Sequence, residues 1–279
     1  MSHVEINPSP IIIIAEKDED YSIRVVDTPE YVLDTIWNNL PIRLKNNNKM
    51  KRYFKYKLDN PPLRLLLKLN PLNEEFIKYV KGHGMSMIVK IPRIIEKDLA
   101  YILGAIRDGG IHYDELNNAY KIHFAQKEKQ YLINEIQPRL RRLFGINTSV
   151  SKRKDGVHQI QFASKPIYLF FSEIFEMKEI QQYWSTPSLI YRISKSLKKG
   201  YIKGFFDAEG TKEHIYHSWY KENECPPLEF ISNVLNHEFN IRCTHPLRIK
   251  TSDEFNRFPA YQLFINDFHK FQLEILDIP

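Results

Sequence analysis

Two carboxylates stand at matching places in this chain. Asp108 ends the stretch Tyr101-Ile-Leu-Gly-Ala-Ile-Arg-Asp-Gly-Gly110, and Glu209 ends Tyr201-Ile-Lys-Gly-Phe-Phe-Asp-Ala-Glu-Gly210. Each stretch predicts an apolar helix, and the glycine after each acid is a helix stop. An acid in the last turn faces the negative end of the helix dipole, at a cost of roughly 0.3–1 kcal/mol. The same cost met twice points to a task. If the helices pair, both acids arrive at one end of the contact. Two carboxylates held close bind a hard divalent cation through oxygen. Such a metal activates water and stabilises a leaving oxygen in phosphodiester cleavage.

The elements that must position the acids come in two rounds. Each opening helix is followed by a strand region, a helix and a Phe-x-Ile turn (Phe144-Gly-Ile146, Phe239-Asn-Ile241). A second strand pair follows, ending in Gln159-Ile-Gln-Phe162 and Tyr261-Gln-Leu-Phe264. The closing helices are Lys165–Phe175 and Asp267–Leu276. The fold class is therefore α+β: two pseudo-symmetric halves that share a core, with an N-terminal α/β extension. The domain reading is 1–93, 94–187 and 188–279. Small residues explain how the opening helices could meet. Gly200, Gly204 and Ala208 share one face of the second, and Ala100 and Gly104 share a face of the first. Glycine inside a helix costs about 1 kcal/mol against alanine, and close backbone approach is the usual reason to keep it.

These motifs resemble the paired motifs of the LAGLIDADG homing endonucleases in their monomeric, two-motif form. The resemblance covers about residues 96–279, as αββαββα twice. Gly204-Phe-Phe-Asp-Ala-Glu-Gly210 matches the family pattern, with the acid five residues after the glycine. Asp108 lies four after Gly104. Strict glycine register puts Gly109 in the acid's place; alignment on the acid–glycine end keeps Asp108 and puts Leu103 at the close-packing position. The second alignment is adopted. The resemblance implies Mg²⁺ or Mn²⁺ on Asp108 and Glu209. It also implies four residues that order water and phosphate: Gln126 and Lys127 after the second strand of the first half, and Lys212 and Lys221 in the second. The implied activity is sequence-specific cleavage of both strands of duplex DNA, for a mobile element such as an intron. The alternatives are a degenerate scaffold that regulates by binding DNA, and a maturase that binds structured intron RNA.

Charge is unevenly spread. The 279 residues carry a net +6, and Lys121–Lys154 hold nine Lys+Arg against two Asp+Glu. Phosphate contacts are expected from Lys121, Arg139, Arg141, Arg142 and the run Lys152-Arg153-Lys154. That run enters the hairpin turn Asp155-Gly156. Arg248 and Lys250, two apart, are expected on one strand face of the second half. A basic hairpin of this kind can lie in a major groove. Two cysteines exclude a disulfide framework, and the longest apolar run is too short for a membrane span. The expectation is a monomer in a reducing cytoplasm, with no membrane partner. His214 and His217, three apart, have no neighbours that would complete a zinc site. In the N-terminal segment, Ile11–Lys17, Tyr21–Val26 and Lys51–Leu58 read as strands. Thr28 reads as the cap and Pro29 as the first residue of a helix running to about Leu40, Leu63–Leu69 as a further apolar run and Asn73–Val80 as a short helix. Gly82-His83-Gly84 reads as a turn and Met85–Ile91 as a strand.

Overall fold

Two helices cross at the centre of the molecule, and everything else is arranged about them. A computed structural model describes residues 3–69, 74–75, 77–82, 86–250 and 258–278. The N-terminal segment contains β1 (Val4–Glu5), α1 (Pro10–Lys17), β2 (Arg24–Val26), α2 (Glu30–Asn39), α3 (Ile42–Lys45) and α4 (Asn48–Met50). A π-helical turn over Lys51–Lys55 follows, then α5 (Leu63–Leu69), β3 (Tyr79–Lys81), β4 (Ile88–Val89) and β5 (Ile94–Ile95).

The first repeat opens with α6 (Lys97–Ala105) and a 3₁₀ turn, Ile106–Asp108. Next come β6 (Gly109–Asp114), β7 (Ala119–Gln126), α7 (Lys129–Tyr131) and, beyond a π turn, α8 (Gln137–Phe144). β8 (Val150–Lys152), β9 (His158–Ala163) and α9 (Lys165–Leu169) complete it. A short α10 (Ser188–Arg192) leads into the second repeat. This holds α11 (Lys195–Glu209), β10 (Gly210–Thr211), β11 (His214–Ser218), α12 (Pro226–His237), β12 (Leu247–Lys250), β13 (Ala260–Phe264) and α13 (Phe268–Phe271).

The two repeats form four-stranded antiparallel sheets of identical order, β6-β7-β9-β8 and β10-β11-β13-β12. Strand alternation separates their faces. Ile122, Phe124 and Ile160 are buried on one side of the first sheet. Lys121, His123, Gln159 and Gln161 occupy the other side, paired as Lys121–Ala163 and His123–Gln161. In the second sheet Ile215, His217 and Leu263 turn inward, and His214, Tyr216 and Gln262 turn outward.

Helices α6 and α11 approach as closely as backbones can. A Cβ on Gly104 would sit 2.1 Å from the Tyr201 carbonyl oxygen, and one on Gly204 would sit 2.1 Å from that of Tyr101. The reciprocity places a pseudo-two-fold axis between them. Gly200 is looser, with the Lys97 carbonyl at 3.3 Å. The placement of Leu103 at the close-packing position is therefore corrected: Gly104 takes it.

Several N-terminal expectations are also corrected. Ile11–Lys17 is helical, started by Pro10 at the first position. Lys51–Lys55 is helical because the Asn47 side chain caps α4, accepting from Lys49 N and Met50 N. Leu63–Leu69 is a helix with Leu63 and Leu66 buried at i, i+3. The segment is thus not strand–strand–helix twice over. Its strands β2, β3 and β4 form a separate three-stranded sheet. The expected helix Asn73–Val80 and the turn Gly82-His83-Gly84 fall partly outside the described residues, and Tyr79–Lys81 is a strand. The segment is tied to the first repeat: Val4 pairs with Ile95. Buried Asp18 accepts from Ser22 N, Ile23 N and, at 2.9 Å, Lys165 Nζ. One apolar cluster runs from Ile6 to Leu276.

Candidate active site and nucleic-acid face

The ends of α6 and α11 bring Asp108 and Glu209 together, although the first motif is one residue short. The 3₁₀ turn explains how. Five α-helical steps from Gly204 to Glu209 rise about 7.5 Å. One α step and three 3₁₀ steps from Gly104 to Asp108 also rise about 7.5 Å. Tightening the last turn makes up the missing residue, so Gly104 keeps its contact and Asp108 still reaches the end of the pair.

Both acids are disfavoured as anions. Burial, then the charge of Glu209, pushes the Asp108 carboxyl up to about 7. Burial pushes Glu209 up to about 7, and the Arg107 guanidinium opposes the shift. Arg107 is 1% exposed. Its two terminal nitrogens donate to the carbonyls of Trp184 and Ser185 at 2.6 and 2.7 Å, and it lies against the rings of Trp184 and Phe205. Among the described residues no group of three His, Cys, Asp or Glu side chains converges. The carboxylate pair offers hard oxygens, a donor type that suits Mg²⁺ or Mn²⁺.

The flanking residues divide. Gln126, at the end of β7, reaches across to the other helix: its Nε2 is 3.5 Å from the Asp207 carbonyl oxygen. Lys127 is next to it and exposed, with its carbonyl at 3.0 Å from His158 Nδ1. Lys212 sits on the exposed tip of the β10–β11 hairpin with φ of 49°. Lys221 lies beyond β11 and pairs with Glu224 at 2.6 Å.

Strand register corrects the equivalence drawn for Lys221. Gly109 pairs with Phe124 and Gly210 with Ile215. Counting two onward, the counterpart of Gln126 is His217, and that of Lys127 is Ser218. His217 Nδ1 lies 3.8 Å from Glu209 Oε1, and its Nε2 is buried with no partner among the described residues. Burial holds its ring well below the ordinary imidazole range. Gln181, in the segment joining the repeats, donates to Glu209 Oε1 at 3.4 Å. Arg107 and Gln181 carry no signal in the sequence, and His217 stood out there only as half of a histidine pair unsuited to zinc. Gln126 lies 17 residues past Gly109 but His217 only seven past Gly210, so residue counting could not align them. A second asymmetry lies beneath the acids. Tyr101 Oη donates to Asp207 Oδ2 at 2.6 Å, while the matching Tyr201 Oη has no hydrogen-bond partner among the described residues.

The expected phosphate ligands also divide. Arg139 is a structural brace: it lies 3.9 Å over the Tyr101 ring and pairs with Glu135 at 2.7 Å. Its assignment to a nucleic-acid surface is corrected on that ground. Arg142 pairs with Asp98 at 2.6 Å, and Lys121 with Asp114 at 2.5 Å. Arg141, Lys152 and Lys154 are exposed and form no ion pair among the described residues. Arg153 N and Val157 O close the Asp155-Gly156 turn, and the Arg153 side chain pairs with Asp155 at 2.8 Å. Arg248 pairs with Glu222 at 3.0 Å. A register shift separates the two residues expected on one strand face: Arg248 opposes Tyr261 and Lys250 opposes Ala260. The Lys250 side chain lies outside what is described. No helix among the described residues is long and apolar enough to cross a membrane.

No family model matches the chain. Homing endonuclease I-ApeI of Aeropyrum pernix is 32% identical over 117 residues, 40% of this chain and 52% of that protein. Glutamine--fructose-6-phosphate aminotransferase of Methanocaldococcus jannaschii is 25% identical over 219 residues, 73% of this chain and 20% of that protein. The chain thus spans about half the length of the first relative and about a fifth of the second. Among solved structures, I-DmoI in complex with DNA and Mn aligns over 66% of this chain and 98% of its own, at 23% identity and a TM-score of 0.47. The N-terminal LAGLIDADG domain of DUF199/WhiA aligns over 65% and 82%, at 14% identity and a TM-score of 0.40. Its paired glycine-packed helices and its two sheets of matching order stand beside a sequence likeness to homing endonuclease I-ApeI over 40% of this chain.

Proposed function

We propose that the protein is a divalent-metal-dependent endonuclease that cuts both strands of a specific duplex DNA. The observation that carries this reading is the pairing of Asp108 and Glu209 at the common end of two symmetric helices. Two sheets with polar outer faces flank them. The carboxylates would hold Mg²⁺ or Mn²⁺, which when bound stabilises the leaving oxygen and lowers the pKa of water. Asp108 and Glu209 give up their protons on binding, so the crowding of the pair is relieved by the cation's charge. His217 and Gln181 orient Glu209, and Gln126 sits over the opposite helix end. Lys127 and Lys212 are the cations free to reach phosphates near the cut. Arg141, Lys152 and Lys154 supply unpaired charge to the duplex, and the outer sheet faces supply readout. The divisions 1–93, 94–187 and 188–279 and a monomeric state belong to this proposal. The 3₁₀ turn that makes up the residue missing from the first motif supports this reading over a binding-only scaffold.

The test is cleavage selection from a randomised duplex library with Mg²⁺ or Mn²⁺, followed by strand-resolved assay. Asp108→Asn and Glu209→Gln are each expected to abolish cutting of both strands with binding intact or tighter. Tight binding with no cutting by the unsubstituted protein would replace this reading with the binding-only one; preference for structured RNA would favour the maturase.

A further inference from the structure

Seven lysines and arginines and no acid stand between residues 43 and 57. Helices α3 and α4 and the π turn after them hold this run at the surface. Three members are engaged: Arg52 with Asp59, Lys57 with Glu30 and Asp34, and Lys45 with the Asn38 carbonyl. The other four, Arg43, Lys49, Lys51 and Lys55, form no ion pair among the described residues. Lys55 Nζ stands 5.3 Å from the Tyr56 ring centre, and Tyr56 is 52% exposed. Like charges one turn apart, as Lys51 and Lys55 are, disfavour a helix. Among the described residues no carboxylate pairs with either lysine, whereas a polyanion would offset the repulsion.

The run has a neighbour that defines the polyanion. Arg24 donates to Tyr53 Oη at 3.1 Å, within the π turn. Arg24 also lines a cleft of about 580 Å³ with Ser22, Asn118, Ala119 and Ala163. Ala163 opposes Lys121 on the outer face of the first sheet. Through Arg24 and Tyr53 the turn that carries the basic run is joined to a cleft at the edge of the polar sheet face.

We propose that Arg43, Lys49, Lys51 and Lys55 bind the phosphate backbone of duplex DNA flanking the segment held by the sheets. This rests on the function proposed above. The test uses the full chain and a variant with all four changed to glutamine. Binding to duplexes of about 20 and about 40 base pairs is followed by anisotropy between about 50 and 200 mM salt. With four fewer phosphates neutralised, the log–log salt slope on the longer duplex should fall by about 3.6, with little change on the shorter one. In the unsubstituted chain, the longer duplex should protect Lys49, Lys51 and Lys55 from acetylation, a readout independent of how the variant folds. Equal slopes for variant and parent, or unprotected lysines, overturn this proposal and leave the endonuclease reading standing. Loss of binding to phosphatidylserine vesicles in the variant, with its DNA slope unchanged, overturns it in favour of a membrane surface. Absence of salt-dependent duplex binding by the parent overturns both readings.

Discussion

Changing both acids, Asp108→Asn with Glu209→Gln, is expected to make the metal-free protein more stable at about pH 8. The reason is linkage. Each carboxyl ionises near its ordinary value in the unfolded chain, 3.8 for Asp108 and 4.5 for Glu209, and only near 7 when folded. Between those limits the unfolded chain binds fewer protons. Stability therefore falls as pH rises from about 4 to about 7, then stays level. Taken singly the shifts correspond to about 4 and about 3 kcal/mol. A quarter of the Glu209 side chain is exposed, and the two groups interact, so the expected gain for the double variant is nearer to about 3 kcal/mol. Urea unfolding of parent and variant, in chelator, at about pH 4.5 and about pH 8 measures it. The advantage of the variant should be small at the lower pH and full at the higher. Mg²⁺ at about 100 times its Kd should return about 2.7 kcal/mol to the parent and nothing to the variant. A variant that is less stable than the parent at the higher pH, or a difference that does not change with pH, would refute the crowding of the pair.

Three further outcomes are expected. Gly104→Ala and Gly204→Ala should each destabilise by about 3 kcal/mol or more, because the methyl meets an opposing backbone carbonyl; Gly200→Ala should be neutral or mildly stabilising, and equal melting shifts for all three would contradict the close crossing. Alanine at Lys152, Arg153 and Lys154 should lower the salt slope of duplex binding by about 0.9 for each phosphate no longer neutralised, and an unchanged slope removes the hairpin from the interface. A chain beginning at Ile94 should lose the β1–β5 pairing and the cover of Ile6, Ile11 and Ile14, bind a hydrophobic dye and unfold at lower urea; unfolding identical to the full chain would make residues 1–93 a separately folding unit.

What the amino-acid sequence determined by itself was local. The acid–glycine helix ends, the Asp155-Gly156 turn and the order of elements in both repeats follow from caps, turn residues and periodicity, which act within a few residues. The sequence also marked Asp108 and Glu209, because an acid at the wrong end of a helix dipole, twice, stands out without any partner in view. Only tertiary structure decided the rest. Ile11–Lys17 reads as a strand because a short apolar run lacks a distinguishing period; packing against the core made it a helix. His217 became the counterpart of Gln126 through strand pairing, which no count along the chain can supply. Arg139 left the surface because Tyr101, Asp98 and Glu135 surround it. The 3₁₀ turn, too, is a tertiary decision: the glycine contact between α6 and α11 sets where the helix must lie, and its last turn tightens so that Asp108 still meets Glu209.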